Sequence, residues 1–409
     1  MRSTSSHLVW SLLLSSIVGT VAAADPIPAI DEAAFVSELS TDPRVARLVA
    51  RVEAARADIA VAGVRANPTI GYEREEPFVD GTGSPTNYLR LTLPFDLSGR
   101  RGREIDAAKA GVRAATSEAT AGKVELVVEA LRVFDDAARA RQQVELLTAA
   151  RTLLARAVEV ARQRGKAGDA AGYQVQRFEV ELAAHDDEIT TANIELGRLR
   201  GRLAALVGRT GELDATTSFD LPAVPALDAL LAKAGSRGDL RAAQLRIEGA
   251  SRRVSAAERG WVPQPSLMLG AMTADLGEQT GTGYVAGLTV TIPVFDRGQG
   301  ERARAAADRT AATAATRVLE REIPAAVRIA YASLVARVDQ ARKLESSQLD
   351  RLDGIVRAVE TAYREGNASV VELLDAHRAA RAVRLRALEL RHQVARDKRE
   401  LELAVGQRL

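Results

Sequence analysis

One motif occurs twice in this sequence, first as Leu91-Thr92-Leu93-Pro94-Phe95-Asp96 and again as Val290-Thr291-Ile292-Pro293-Val294-Phe295-Asp296. A helical stretch and then alternating residues precede each copy, and a long segment with helical patterning follows it. Corresponding features are separated by about 196 to 199 residues throughout. Self-similarity at a nearly fixed offset indicates a repeated structural unit. The sequence therefore predicts two copies of one fold unit.

Each unit predicts two short strands. In the first copy, Ile70 and Tyr72 alternate with small or polar residues, and Leu89, Leu91 and Leu93 do the same further along. Period two with one apolar face is typical of a β-strand. The predicted strands cover about 67–75 and 88–97 in the first copy, and about 265–274 and 284–295 in the second.

A long helical hairpin follows each strand pair, at about 99–208 and 298–405. In both returning segments, which run from Phe178 to Leu206 and from Leu373 to Leu401, seam residues recur at steps of three and four, a pattern that specifies coiled-coil packing. A helix of about 65 residues reaches about 100 Å at 1.5 Å per residue, too long for a compact domain. Pro324 predicts a kink or local break in the second long helix.

Composition narrows the class of protein. Aromatic residues make up only 4% of 409 residues, which favours closely packed Ala-rich and Leu-rich helices over a compact enzyme. The absence of cysteine excludes disulfides and thiolate metal sites. Acidic and basic residues are interleaved at a net charge of +2, which indicates no nucleic-acid partner. We expect no cofactor, and the sequence contains no phosphate loop, nucleophile elbow or zinc-protease helix that would indicate catalysis.

The N-terminus predicts export. Arg2, an apolar stretch from Leu8 to Val21 and the small residues Ala22-Ala23-Ala24 form a secretory signal over residues 1–24. The predicted organisation continues with a first repeat at 25–208, a linker or equatorial segment at 209–238 and a second repeat at 239–409.

Four strands with one apolar face match the strands of a membrane barrel, but they cannot close one. An open sheet edge in lipid would leave backbone groups unpaired. Several copies must then share one barrel, and three copies give twelve strands. The alternative is a periplasmic coiled-coil adaptor or scaffold in which the strand pairs are small elements beside a helical bundle.

The arrangement resembles the TolC family of outer membrane efflux proteins. The resemblance is carried by the two repeats, by Asn67-Pro68 before the first strand and by the Pro-containing motifs after each strand pair. The stretch Gly168-Asp169-Ala170-Ala171-Gly172-Tyr173 is similar to the CzcC-like heavy-metal efflux branch. The resemblance implies a mainly α homotrimer, with a twelve-stranded barrel in outer membrane lipid and a helical tunnel in the periplasm.

It also implies a role and partners. The chain would be the passive exit duct of a tripartite efflux system, joined by a periplasmic membrane fusion (adaptor) protein to an inner-membrane RND-type pump. Its substrates would be heavy-metal cations or drugs. A duct for type I protein secretion remains a second possibility within the same class.

Two acidic residues are the main candidate site. Glu372 and Asp375 lie three residues apart, on one face of the predicted returning helix. From the residues alone, they fit a solvated helix start in which acids favour the N-terminal dipole. The resemblance implies instead that they ring the periplasmic constriction of the tunnel.

The resemblance also implies a lock between neighbouring hairpins. Tyr363 matches the tyrosine of that lock, but the arginine position falls on Ala368 and the first-copy acid falls on Gln174. Part of the lock is therefore missing. Tyr173 and Arg177 are candidates for substitute gate contacts or for adaptor docking.

Overall fold

A computed structural model describes residues 27–79, 82–166, 172–275 and 279–409. The predicted signal peptide, residues 1–24, lies outside them. The first half contains β1 (Ala29–Asp31), α1 (Glu32–Glu38), α2 (Pro43–Gly63), β2 (Thr69–Glu75), β3 (Phe78–Val79), β4 (Thr82–Gly83), β5 (Thr86–Pro94), α3 (Arg100–Lys166) and α4 (Gly172–Leu206). The second half contains β6 (Asp214–Thr216), α5 (Leu227–Ala234), α6 (Gly238–Ala257), β7 (Gln264–Asp275), β8 (Thr280–Thr291), α7 (Gln299–Leu344), α8 (Asp350–Arg364) and α9 (Val370–Val405).

The central sheet unites the two repeats. Its four strands run in the order β2-β5-β7-β8, and every neighbouring pair is antiparallel. The β5–β7 pairing joins the first repeat to the second, with Leu91 opposite Leu269. Separately, β1 pairs in parallel with β6, and β3 forms a two-residue ladder with β4. The predicted fold, with helices in the majority and two strands from each repeat, is confirmed.

Several strand limits differ from the sequence prediction. β5 ends at Pro94 and β8 at Thr291, a few residues before the predicted ends at 97 and 295. Proline has no N–H to donate to a ladder, so β8 ends just before Pro293 and β5 ends at Pro94, after which a single bond follows from the Phe95 N–H to the Pro265 carbonyl oxygen at 2.9 Å. β8 also begins earlier than predicted, at Thr280, because its Gly- and Thr-rich start pairs fully with β7.

The repeated Asp in the motif turns each chain from strand into helix. Asp96 Oδ1 accepts a hydrogen bond from the Ser98 N–H at 2.9 Å, and Asp296 Oδ1 accepts one from the Gly298 N–H at 2.9 Å. Gly99 and Gly298 then have φ values of 69° and 75°, a left-handed conformation that favours glycine. α3 and α7 begin directly afterwards. The two repeats therefore enter their long helices through equivalent turns.

The long helices are largely continuous. α3 has 67 residues, so it spans about 100 Å. α7 runs from Gln299 to Leu344 with Pro324 inside it, so the helix does not break there, and the alternative of a kink stays a prediction. Ile323 and Val327, on either side of the proline, are buried in a cluster with α5 and α9, and this packing holds the helix together across the missing hydrogen bond. The regular α-helical geometry is interrupted only after α7, where a π-helical turn at Glu345–Leu349 leads into α8.

Small residues allow the helices to approach closely. Ala107, Ala110 and Ala114 of α3 are buried, and a Cβ on Gly249 of α6 would lie 3.4 Å from the Ala107 carbonyl oxygen. The predicted heptad seams of α4 and α9 consist of buried or half-buried residues, including Phe178, Leu203 and Leu401. Across the part of the chain that the structure describes, no helix is both long and apolar enough to cross a bilayer.

A buried ion cluster joins the chain's N-terminal segment to its last helix. The Arg399 guanidinium, whose side chain is 4% exposed, bonds to Glu32 of α1, Asp135 of α3 and Glu402 of α9 at 2.7, 3.0 and 3.1 Å. These hydrogen-bonded carboxylates raise the pKa of Arg399 despite its burial, so that it stays protonated. The cluster therefore fixes three separate segments at one point.

Candidate functional site

One face of the four-stranded sheet is apolar and exposed. Directly opposed residues share a face, and side chains alternate along each strand. This apolar face carries Ile70, Tyr72, Leu89, Leu91, Leu93, Leu267, Leu269, Ala271, Tyr284, Ala286, Leu288 and Val290. Ile70 is 74% exposed and Tyr284 is 88% exposed. A face of this kind needs a partner or a lipid environment to cover it.

Aromatic residues lie in the strands near one end of the sheet, and just before β7 and just after β8 near the other end. Tyr72 and Tyr284 lie in one row across the sheet, and the row beyond them contains polar side chains such as Asn87. At the opposite end Trp261 and Phe295 are 56% and 92% exposed. Aromatic girdles at the edges of an apolar band are typical of outer membrane strands.

The other face is mostly polar or small, with Tyr88, Met268, Met272 and Val285 as its larger side chains. It carries Thr69, Gly71, Glu73, Glu75, Thr86, Tyr88, Arg90, Thr92, Ser266, Met268, Gly270, Met272, Ala274, Gly281, Gly283, Val285, Gly287, Thr289 and Thr291. Among the described residues, β2 and β8 pair on one side only within this sheet, so both of its edges are open within one chain.

At the far end of the helices, Glu372 and Asp375 occupy the first turns of α9, and both side chains are exposed. Ser369 caps this helix: its Oγ accepts from the Glu372 N–H at 3.2 Å, while Glu372 Oε2 accepts from the Ser369 N–H at 2.6 Å. This reciprocal capping box fixes Glu372 close to the helix start. Asp375, one turn further on, remains directed to solvent.

Tyr363 joins the two hairpins within one chain. Its side chain is only 2% exposed and meets Phe178 of α4 edge to face, with ring centroids 6.2 Å apart. Val370 and Leu373 of α9 belong to the same buried cluster. The part that Tyr363 plays in a gate between chains stays a prediction.

The other predicted gate residues lie on the first turns of α4. Tyr173 is 66% exposed and Arg177 is exposed as well. Gln174 belongs to the helix, but its side chain lies outside the described part of the structure, as do residues 167–171 of the hairpin turn. Their proposed roles in the gate or in adaptor docking stay predictions.

Two arginines that the sequence did not single out connect the hairpins. Arg378 Nε of α9 donates to Glu181 Oε1 of α4 at 2.9 Å. One turn later, Arg381 forms an ion pair with Glu188 and approaches His185 Nε2 at 3.3 Å. These contacts lie just beyond Glu372 and Asp375 along α9, so they hold the acidic end of α9 against the first hairpin.

The electrostatics of this seam keep Glu181 charged and His185 and His377 neutral. The hydrogen bond from Arg378 lowers the pKa of Glu181 below its usual value. Burial, with the nearby Arg381 charge, lowers the pKa of His185, and burial likewise lowers the pKa of His377. Within the described ranges, no group of three or more His, Asp or Glu side chains could hold a metal ion.

Comparison with known proteins identifies the family. The profile described as "Outer membrane efflux protein" matches residues 35–209 and 232–407. The chain belongs to this family, and its place is the outer membrane. The predicted resemblance is confirmed.

The individual relatives share about a quarter of their aligned residues with this chain. The chain is 26% identical over 288 residues to the nickel-cobalt-cadmium resistance protein NccC of Alcaligenes xylosoxydans xylosoxydans, covering 70% of this chain and 65% of NccC, just under two thirds. It is 25% identical over 308 residues to the cobalt-zinc-cadmium resistance protein CzcC of Cupriavidus metallidurans, covering 74% and 73%. The structure of the outer-membrane channel OprN has the same fold, with a TM-score of 0.74 at 22% identity over 92% of this chain and 89% of OprN.

Proposed function

We propose that three copies of the chain form a passive outer membrane duct for the efflux of heavy-metal cations. The sheets of the three copies close into a twelve-stranded barrel, with the apolar faces toward lipid and the polar faces toward the lumen. The long helices continue the lumen into the periplasm as a tunnel that ends at the hairpins of Glu372 and Asp375.

The observation that carries this proposal is the four-stranded sheet with one exposed apolar face and two open edges. In lipid, an unpaired strand edge costs several kcal/mol for each unsatisfied backbone group. Pairing β8 of one copy with β2 of the next satisfies both edges at once. A soluble adaptor would not need an apolar face on the sheet, so this feature favours the duct over the scaffold.

Transport through the duct needs an energy source in another protein. A passive pore supplies no driving force, and we assign the chain no catalytic chemistry. A periplasmic adaptor protein would join the hairpin end to an inner-membrane RND-type pump, and the exposed Tyr173 and Arg177 are available for that contact. Movement of the hairpins on adaptor engagement would open the tunnel.

Two observations support metal cations as the substrate class. Relatives over most of the chain are named for nickel, cobalt, cadmium and zinc resistance. In a trimer, six carboxylates from Glu372 and Asp375 would surround one axis, and rings of acids favour cations in a pore. Drugs and secreted proteins are the other substrate classes that such a duct serves.

Deletion of this chain should sensitise its host to divalent metal salts. We expect growth inhibition at concentrations at least about fourfold lower for one or more of nickel, cobalt, cadmium and zinc, with restoration by the plasmid-borne chain. Sensitivity to an apolar drug, measured in parallel, is the control for a general envelope defect. A deletion strain that changes only its drug tolerance, or only its protein secretion, would contradict the metal assignment.

A further inference from the structure

A charged cluster lies on the polar face of the sheet, at the level of Tyr72 and Tyr284. Its members are Glu73 and Glu75 of β2 and Tyr88 and Arg90 of β5, hereafter the Arg90 cluster. Arg90 forms an ion pair with Glu73, and its guanidinium carbon lies 4.4 Å from the centroid of the Tyr88 ring. The Tyr88 hydroxyl in turn donates to Glu75 Oε2 at 3.3 Å.

The neighbouring strand holds Arg90 in place. Gly270 of β7 lies opposite Arg90, and a Cβ there would be 2.6 Å from the Leu89 carbonyl oxygen and 3.3 Å from Arg90 Cγ. The Arg90 side chain therefore packs on bare backbone and is 28% exposed. With the Glu73 pair on one side and the Tyr88 ring beneath, the guanidinium is held against the sheet.

Arg90 also determines the charge of this face. The charged side chains that the described strand residues place on it are Glu73, Glu75 and Arg90. Each chain thus contributes a net charge of −1, which becomes −2 without Arg90 and zero without Glu73.

We propose that Arg90 is a specificity-determining residue of the pore, because it limits the preference for cations at the barrel end. This inference rests on the proposed function, since only a closed barrel turns the polar face into a lumen. The Arg90 cluster is separated from Glu372 and Asp375 by helices about 100 Å long, whereas charges are screened within about 10 Å at 0.1 M salt. The two charged regions therefore act independently on a permeating ion.

The test measures the K⁺/Cl⁻ permeability ratio in planar bilayers, from reversal potentials in a KCl gradient. The background is the Glu372→Ala/Asp375→Ala protein, so that the hairpin acids do not dominate the ratio. At about 0.01 M salt, where the screening length is about 30 Å, we expect Arg90→Gln to raise the ratio about twofold. Glu73→Gln should lower it about twofold, and the double variant should return it close to the starting value.

The matched control is Arg74→Gln. Arg74 lies on β2 between Glu73 and Glu75, but on the opposite face of the sheet, and it pairs with Glu76 at 3.4 Å. This variant makes the same change in net charge as Arg90→Gln, and it should leave the ratio unchanged. All differences should shrink at 1 M salt, where the screening length is about 3 Å.

The outcomes separate this inference from the function on which it rests. If the background protein conducts but Arg90→Gln and Arg74→Gln give the same ratio, the inference about Arg90 is overturned and the duct stands. If the background protein carries no current at all, the duct itself is overturned. If the Arg90→Gln protein does not insert into the bilayer, the isosteric Glu73→Gln variant provides the test. It must still lower the K⁺/Cl⁻ permeability ratio, and an unchanged ratio in that variant also overturns the inference.

Discussion

Replacement of both Glu372 and Asp375 by alanine is expected to raise the single-channel conductance of the purified protein about three- to tenfold and to weaken its cation preference. Both side chains are exposed in the first turns of α9, at the hairpin end of the molecule. In the proposed trimer they narrow the tunnel and attract cations there. Removing six carboxylates widens the constriction and abolishes the electric field that attracts cations there. Planar bilayer recordings measure both effects.

The control removes two acids from the opposite end of the helical region. Glu53 and Asp58 of α2 are also exposed, and Glu53→Ala/Asp58→Ala should leave conductance within about twofold of the wild type. Because Glu372 also completes the capping box with Ser369, a Glu372→Gln/Asp375→Asn variant separates charge from helix capping. Unchanged current in both hairpin variants would remove these residues from the constriction.

Replacement of Arg399 by methionine should lower the free energy of unfolding by about 3–5 kcal/mol. Methionine has a similar length but no charge, so Asp135 and Glu402, both almost fully buried, would lose the cation that compensates them. The α1 segment would also lose its tie through Glu32 to the last helix. Urea unfolding of the detergent-solubilised protein, followed by far-UV circular dichroism, measures the change.

Arg408 provides a matched control in the same cluster. It also pairs with Glu32, but its side chain is 46% exposed, so Arg408→Met should cost no more than about 1 kcal/mol. If both substitutions lowered the free energy of unfolding equally, the pairing with Glu32 would explain the effect. The view that the burial of Arg399 explains it would then be contradicted.

The sequence predicted the repeated fold because each local pattern agreed with the same architecture. The alternation of Leu89, Leu91 and Leu93 placed these residues on one face, and the structure puts all three on the apolar face of the sheet. The heptads predicted the seams because apolar residues repeated every 3.5 positions fall on one face of a helix, whatever the rest of the fold. The helix does not break at Pro324 because tertiary packing around Ile323 and Val327 outweighs the loss of one backbone hydrogen bond.

The contacts between hairpins could not be predicted in the same way. Arg378 and Glu181 are 197 residues apart, and their pairing depends on the register of α4 against α9. One signal was present: Glu181 and Glu188 are seven residues apart and each directly precedes a seam residue. Charges that flank a heptad seam commonly form pairs between helices. The two glutamates therefore indicated that this face of α4 takes part in ion pairs, but they did not indicate which residues are their partners.

The central claim is that the chain is a trimer in the outer membrane, and its mass after detergent extraction from isolated outer membranes tests this most directly. Native mass spectrometry should give three copies of the mature chain, and a Leu288→Asp substitution on the apolar face should reduce the amount recovered in that fraction. Recovery of the wild-type chain as a monomer in the soluble periplasmic fraction would contradict the account.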